Sequence, residues 1–199
     1  TNPLDAMTWS LKKVANIKKN KIVGMAGILD SARFKYFLSK KMNVSMECIQ
    51  TMVLGGHGDT MVPLVRYSAV AGIPVPDLVK MGWSSDDRIA DIVQRTRDGG
   101  AEIVGLLKTG SAYFAPSSAA AIMVKSILSD SNEIMPACSW VNGEYGINDV
   151  FLGVPTMLGS SGVTKVVEIE LKSNELNALK SASEAVKSKV DELNSILSQ

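Results

Sequence analysis

Histidine and cysteine are scarce in this 199-residue chain, which holds one of the first and two of the second. A zinc-type metal site needs three or four ligands at useful spacing, and His57 has only Asp59 close to it in sequence, so we expect no metal. Cys48 and Cys138 are too few for a disulfide framework. They fit a reducing compartment and lead us to expect a cytoplasmic protein, although a single disulfide between them stays an open alternative.

An excess of charge of one sign and long apolar runs are also missing. The net charge of +1 provides no electrostatic footprint for nucleic acid or an acidic membrane surface. No apolar run has the length of a membrane span, and no secretory signal opens the chain, so we expect neither a membrane nor a nucleic-acid partner. The length and the 46% of apolar residues suit one sizeable globular domain.

Apolar periodicity predicts a mixed α+β fold, with helices packed on a mostly antiparallel sheet. Helices are predicted over about residues 3–16, 30–42 and 115–128, in the stretch opened by the capping box at 84–87, and from 173 onward. Strands are predicted over about residues 21–27, 49–54, 137–141, 150–154 and 163–169. The apolar residues of the last helix recur at three-, four- and seven-residue spacings, which fits either packing on its own domain or a coiled coil. The helix at 115–128 is expected to be buried around much of its circumference.

The stretch LGGHGD at residues 54–59 ends an apolar run with three glycines around the only histidine. Glycine lets the backbone take positive φ or approach a ligand closely, while the imidazole is held at the end of a strand. With an ordinary pKa of about 6.5, His57 is suited to exchanging a proton near neutral pH. The alternative is a histidine that merely fills a turn and hydrogen-bonds the backbone.

Asp30 and Arg33 are three residues apart at the start of a predicted helix and share one face. They fit a surface ion pair, but the apolar, glycine-punctuated run at 24–29 leads directly into them. Asp30 has the chemistry to hold an imidazole in one tautomer and raise its pKa. Arg33 offers a planar fork that matches a carboxylate. Together with His57 they make a minimal set for chemistry on a small hydroxy acid.

Three segments resemble, in family order, signatures of the lactate/malate dehydrogenase family: TNPLD at residues 1–5, LDSARF at 29–34 and GGHGD at 55–59. The similarity continues through RTRDGG at 95–100 and GEYG at 143–146 to the final helix. MVPL at 61–64 resembles the malate branch, in particular the lactate-dehydrogenase-like type found in bacteria. The resemblance implies that residues 1–199 form the family's catalytic, substrate-binding C-terminal domain.

The resemblance also implies roles for individual residues. His57 would accept and donate the proton, Asp30 would be its partner, and Arg33 would bind the C1 carboxylate of the substrate. Asn2 would hydrogen-bond the reacting oxygen, so that Asn2 and His57 border the NAD cofactor, and the peptide bond after Asn2 is typically cis. Ser111 would line the pocket, although a helix N-cap or a turn hydroxyl is an equal alternative.

The family's dinucleotide-binding half has no counterpart here, since no Gly-x-Gly-x-x-Gly follows a strand. We therefore expect a Rossmann domain upstream of residue 1, and an isolated chain without appreciable activity. The implied reaction is the NAD-dependent interconversion of malate, a small dicarboxylate, and oxaloacetate, in a homo-oligomer such as a dimer or tetramer. The alternatives are lactate or another 2-hydroxy acid as substrate, or a non-catalytic oligomerisation module. An NAD-dependent glycosidase would need metal ligands that the sequence does not offer.

Overall fold

The elements of the fold are defined in a computed structural model that describes residues 2–197. Its helices run over Leu4–Val14 (α1), Gly27–Met42 (α2), Val75–Lys80 (α3), Asp86–Leu107 (α4), Phe114–Leu128 (α5) and Ser173–Leu197 (α6). Its strands run over Ile49–Gln50 (β1), Val53–Gly55 (β2), Met61–Pro63 (β3), Ala69–Val70 (β4), Ile73–Pro74 (β5), Glu133–Val141 (β6), Val150–Gly159 (β7) and Gly162–Val166 (β8).

The two longest strands, β6 and β7, pair over residues 133–141 and 150–158, and β7 is the central strand of a five-stranded sheet in which β6 lies at one edge. The sheet order is β3-β2-β7-β6, with β8 also paired to β7, and every neighbouring pair is antiparallel. A smaller antiparallel sheet has the order β1-β4-β5. The predicted α+β class, with helices packed on a mostly antiparallel sheet, is confirmed.

Side chains of β7 alternate between two layers of the core, as the two-residue period of a strand requires. Val150, Leu152 and Val154 pack in one cluster with α6, whereas Phe151 packs in another with Ile22 and Cys138. The apolar seam of α6 belongs to the first cluster through Leu179, Ala182, Val186 and Val190. The last helix therefore packs on its own domain, although the side chain of Leu197 lies outside the described residues.

Two predicted strands are corrected by the structure. Residues 21–27 form no strand, because a 3-10 turn at Lys19–Lys21 is followed by a single bridge between Gly24 and Cys138, and α2 already begins at Gly27. The predicted strand at 49–54 is divided into β1 and β2. These two pieces pair in different sheets, because the chain leaves one sheet and enters the other at residues 51–52.

The predicted burial of α5 is wrong. Only Ala119, Met123 and Ser126 are buried on this helix, while Phe114 and Leu128 are each 81% exposed. The helix contacts the sheet along one narrow stripe, which Ile127 borders, whereas Ile122 and Val124 are exposed like Phe114 and Leu128. Helix α3 was not predicted at all, since its proline-containing start resembles the preceding turn.

Two further expectations concern the state of the two cysteines and the presence of membrane-spanning helices. Cys48 and Cys138 are both free thiols, so the alternative of a disulfide between them is not realised. Within residues 2–197, no helix combines the length and the apolar character needed to cross a lipid bilayer.

Candidate active site

The loop that carries His57 leaves β2 at a close crossing of two backbones. Gly55 pairs with Gly153 of β7, and a Cβ atom on Gly153 would overlap the carbonyl oxygen of Gly55. Gly55 also has φ +86°, a conformation that side chains other than glycine rarely adopt. These two glycines let β2 end against the central strand and turn at once into the loop, which fixes where His57 begins.

Asp5 on α1 holds the backbone of the loop that carries His57. The backbone N–H of His57 donates to Asp5 Oδ2 at 2.9 Å, although the two residues are 52 positions apart. Asp5 is only 6% exposed. Apart from the weak thiol donor of Cys138 beside it, its other oxygen Oδ1 has no hydrogen-bond partner among the described residues. Burial raises the pKa of Asp5, and the His57 amide partly offsets that rise.

The imidazole of His57 meets the first turn of α2. Its Nδ1 lies 2.8 Å from Asp30 Oδ2, and the other carboxylate oxygen, Asp30 Oδ1, accepts from Arg33 Nη1 at 3.1 Å. The Asp30 side chain is 2% exposed, against 13% for His57 and 15% for Arg33. One buried carboxylate thus joins the histidine and the arginine that the sequence analysis had singled out separately.

This contact sets the protonation chemistry of His57. Burial by itself lowers the pKa of His57, but the hydrogen bond and negative charge of Asp30 outweigh it, so the pKa lies above its ordinary value of 6.5. When the ring is neutral, Asp30 favours the tautomer with hydrogen on Nδ1, because a carboxylate only accepts. Nε2 is then left as a proton acceptor, and it becomes a donor when the ring is protonated.

The predicted pocket residues border one cavity of about 350 Å³. Asn2, Arg33, His57 and Ser111 all line it, and Asp30 lies behind the His57 ring. The Asn2–Pro3 peptide bond is cis. Ser111 is not the N-cap of α5, because that position is Tyr113, so the N-cap alternative is not realised. The four residues come from the start of α1, from α2, from the β2–β3 loop and from the α4–α5 connection.

Sequence reasoning did not predict several charged residues at or beside the cavity as site residues: Asp5, Asp59, Arg97 and Asp98. Asp5 lies three residues after Asn2 on α1, within a segment already singled out, but nothing local shows that it reaches the His57 backbone. Arg97 of α4 also lines the cavity. It precedes the glycine pair at 99–100, and α4 continues through both glycines, where the helix passes close to the Arg33 side chain.

Residues 28–196 match the family model described as the lactate/malate dehydrogenase, alpha/beta C-terminal domain. This match covers most of the chain, and the cavity with its buried His–Asp pair lies within the fold so defined. The chain belongs to the lactate/malate dehydrogenase family.

Solved structures of both branches are similar to it. Malate dehydrogenase from Cryptosporidium parvum is 39% identical with a TM-score of 0.96, over 98% of this chain and 62% of that one. Malate dehydrogenase from Salinibacter ruber is 44% identical with a TM-score of 0.94, over 99% and 63%. Lactate dehydrogenase from Eimeria maxima, solved with NADH and oxamate, is 35% identical with a TM-score of 0.94, over 100% and 62%. The chain thus spans less than two thirds of the length of these proteins.

Proposed function

We propose that this chain is the substrate-binding and proton-transfer half of an NAD-dependent malate dehydrogenase. The observation that carries the proposal is the hydrogen bond between His57 Nδ1 and Asp30 Oδ2, formed at a cavity that Arg33 also lines. A proton-exchanging ring, a carboxylate that orients it and a guanidinium for an anionic substrate meet at one place. This set suits the oxidation of a 2-hydroxy acid and the reverse reduction.

In the oxidation, neutral His57 accepts the proton of the substrate hydroxyl at Nε2. Asp30 stabilises the imidazolium that forms, since its carboxylate stays hydrogen-bonded to Nδ1. In the reduction, protonated His57 returns the proton from Nε2 to the oxygen of the carbonyl group. The pKa of His57, raised above 6.5, keeps the protonated form available near neutral pH.

The remaining residues bind and orient. Arg33 binds the C1 carboxylate of the substrate, because its planar fork provides two parallel donors. Asn2 donates a hydrogen bond to the reacting oxygen, and Ser111 lines the pocket near it. NAD, when bound, supplies the hydride acceptor, and Asn2 and His57 are the residues of this chain that would border it.

Malate is the substrate we propose, in an enzyme of the lactate-dehydrogenase-like type. The MVPL segment at residues 61–64 and the similarity to malate dehydrogenases from two organisms support it. The similarity to a lactate dehydrogenase keeps lactate as the alternative. The test is NAD reduction by the enzyme that contains this chain, supplied with malate or lactate. A higher kcat/KM for lactate would reverse the substrate assignment, and no reaction with either acid would reject the function.

The binding site for most of NAD lies, we propose, in a Rossmann domain outside these residues. Two observations support this proposal. The chain has no dinucleotide-binding glycine fingerprint after a strand, and it covers only about three fifths of the length of the similar malate dehydrogenases. Calorimetric titration of this chain with NADH is expected to show no saturable site at micromolar concentration. Tight one-to-one binding would contradict the domain assignment.

We also propose that the protein forms a homo-oligomer, such as a dimer or tetramer, and that it is located in the cytoplasm. The outward apolar side chains of α5, among them Phe114 and Leu128, support a surface that a second copy covers. Analytical ultracentrifugation tests it, since a monomer at all concentrations would remove the proposal. If the chain self-associates but contributes to no dehydrogenase activity, the alternative of a non-catalytic oligomerisation module would be favoured instead.

A further inference from the structure

We propose that Lys12 and Lys19, whose ammonium groups lie over the ring of Trp140, form a binding site for the phosphate group of a soluble compound. None of these three residues lines the cavity that contains His57. Lys12 lies in the last turn of α1, a helix of 11 residues and about 16 Å whose first turn lies beside that cavity. The site is therefore separate from the substrate cavity, and the inference does not rest on the proposed function.

The first observation is that the core fixes the ring of Trp140. This residue lies on β6 opposite Phe151 of β7, and the two rings meet edge to face with 5.1 Å between their centroids. Phe151 is fully buried, whereas Trp140 is half-buried. The packing therefore anchors the indole in the sheet while part of it stays accessible.

The second observation is that two different elements bring ammonium groups to this ring. Lys12 Nζ, from α1, lies 3.7 Å from the ring centroid, and Lys19 Nζ, from the 3-10 turn, lies 4.1 Å from it. The turn is fixed to the domain because Asn20 Nδ2 donates to the carbonyl oxygen of Ser161 at 2.9 Å. An aromatic ring attracts a cation but leaves its charge in place. The indole thus gathers two positive charges and neutralises neither.

The third observation is that these charges lack an acidic partner. Among the residues that the structure describes, no carboxylate lies within ion-pair distance of Lys12 or Lys19. Burial lowers the pKa of Lys12, the positive charges of Lys19 and Lys13 lower it further, and Asp149 offsets this only in part. Each ammonium group has three N–H donors. Two cations that repel each other and keep free donors favour an anion that contacts both.

A cavity of about 380 Å³ lies beside the ring and provides space for such an anion. Lys19, Trp140 and Lys165 line it, so a further ammonium group faces the same space. Glu144 is the one carboxylate of this lining, and its Oε2 already accepts from the backbone N–H of Asn142 at 2.8 Å. The lining therefore has an excess of positive charge.

A phosphate group suits these lysines better than a carboxylate does. Near neutral pH it carries a charge of about −1.5 to −2 and has three acceptor oxygens, so one group accepts from both ammonium groups and balances both charges. A carboxylate carries a single charge and leaves one ammonium group unbalanced. The net charge of +1 does not attract the chain to an acidic membrane, which favours a soluble phosphate compound over a lipid headgroup.

The indole N–H signals in an NMR spectrum test the site directly, because the chain has only three tryptophans. We would titrate this chain with inorganic phosphate at constant ionic strength, with Trp140→Phe to identify the Trp140 signal. The exposed Trp83 serves as the internal reference. The expected result is a saturable shift of the Trp140 signal while the Trp83 signal stays in place. Acetate at the same ionic strength is expected to shift the Trp140 signal far less.

Variants of the two lysines assign the effect to the site. Lys12→Gln and Lys19→Gln should each weaken phosphate binding by about tenfold or more, the loss typical of a hydrogen bond between charged groups. Lys19→Arg keeps the positive charge and should retain binding. Lys80→Gln removes an exposed lysine that pairs with Asp77 and should leave binding unchanged. The thermal midpoint without phosphate checks that every variant is folded.

Several outcomes would overturn the inference. A shift that grows linearly without saturation, or that is equal at Trp140 and Trp83, would show only ionic screening. Unchanged phosphate affinity in folded Lys12→Gln and Lys19→Gln would remove the two lysines from any site, and equal affinity for acetate would reject phosphate as the ligand class. Co-sedimentation with phosphatidylglycerol vesicles, in a chain whose Trp140 signal does not respond to phosphate, would assign the lysines to a membrane surface instead.

Discussion

Asp30–Arg33 and Asp77–Lys80 are two acid–base pairs with the same three-residue spacing on two helices, α2 and α3. In the first pair the side chains are 2% and 15% exposed, whereas in the second they are 49% and 77% exposed. The two N···O distances are similar, at 3.1 and 2.8 Å. The spacing on a helix therefore predicts the pairs equally well, and says nothing about which one lies in a functional site.

What packs on each pair makes the difference. The His57 loop covers Asp30, so its carboxylate exchanges water for the imidazole and the guanidinium. Charge–charge interactions strengthen when water is excluded, and breaking a buried pair typically costs about 3–5 kcal/mol. Asp77 and Lys80 remain in water, where such pairs add little to stability. The predictions below use the exposed pair as the control for the buried one.

The largest effect is expected at His57. In the enzyme that contains this chain, His57→Asn should reduce kcat by about 10²–10⁴-fold, because general acid–base catalysis is lost. The measurement is steady-state kinetics in both directions, with the thermal midpoint as the control for folding. Turnover at the wild-type rate would remove His57 from proton transfer.

Arg33→Lys comes next, compared with Lys80→Arg. Lysine keeps the charge but loses the planar fork, so kcat/KM for malate should fall by an amount equivalent to about 2–4 kcal/mol. The exposed Lys80→Arg exchange should leave kcat/KM and the thermal midpoint unchanged. If Arg33→Lys changes kcat/KM as little as Lys80→Arg does, Arg33 serves only as an ion-pair partner of Asp30 and does not bind substrate.

Asp30→Asn sharpens the comparison through the pKa of His57. Removing the hydrogen-bonded carboxylate takes away the interactions that raise this pKa, so burial and Arg33 should bring it down. Asp77→Asn should leave it unmoved. An NMR titration of the single histidine measures both variants, and an unshifted pKa in Asp30→Asn would contradict the role of that carboxylate.

The same pair is expected to influence stability as a function of pH. The pKa of folded His57 is raised, so its protonation stabilises the native state; that contribution is fully present below the unfolded value of about 6.5 and is lost as the pH rises through the folded pKa. Denaturant unfolding at several pH values should show this decline in the wild type and a smaller one in Asp30→Asn. An identical decline in both proteins would assign it to other groups.

The smallest effect is expected for Asp5→Asn. Asparagine retains an oxygen that accepts from the His57 amide but removes a negative charge near the ring, so the pKa of His57 should fall less than in Asp30→Asn. Burial raises the pKa of Asp5, which means that its ionised form opposes folding, so the variant should be at least as stable as the wild type at neutral pH. A fall in the pKa of His57 as large as that in Asp30→Asn would make Asp5 the stronger electrostatic partner.

Much of the fold was predictable because local patterns express it directly. The apolar period of α6 and the start of α4 near its capping serine follow from neighbouring residues. On α1 the helix itself was predicted, but its apolar period did not mark the buried face: Met7, Leu11 and Val14 are exposed, whereas Asp5, Ala6 and Thr8 are buried. The errors arose where pairing partners are distant. Residues 49–54 have the pattern of one continuous strand, but the first end of this segment pairs in the three-stranded sheet and the other end pairs in the five-stranded sheet.

For the candidate site, sequence alone determined which residue types are available: a single histidine after a glycine-rich turn, an aspartate and an arginine on one helical face, and an asparagine before a proline. Only the tertiary structure decided that Asp30 touches His57, that Asp5 holds the loop from 52 residues away and that Arg97 lines the same cavity as Arg33. The reason is physical. Side-chain chemistry and helical spacing are local properties, whereas burial and hydrogen bonds between distant elements exist only once the backbones have packed.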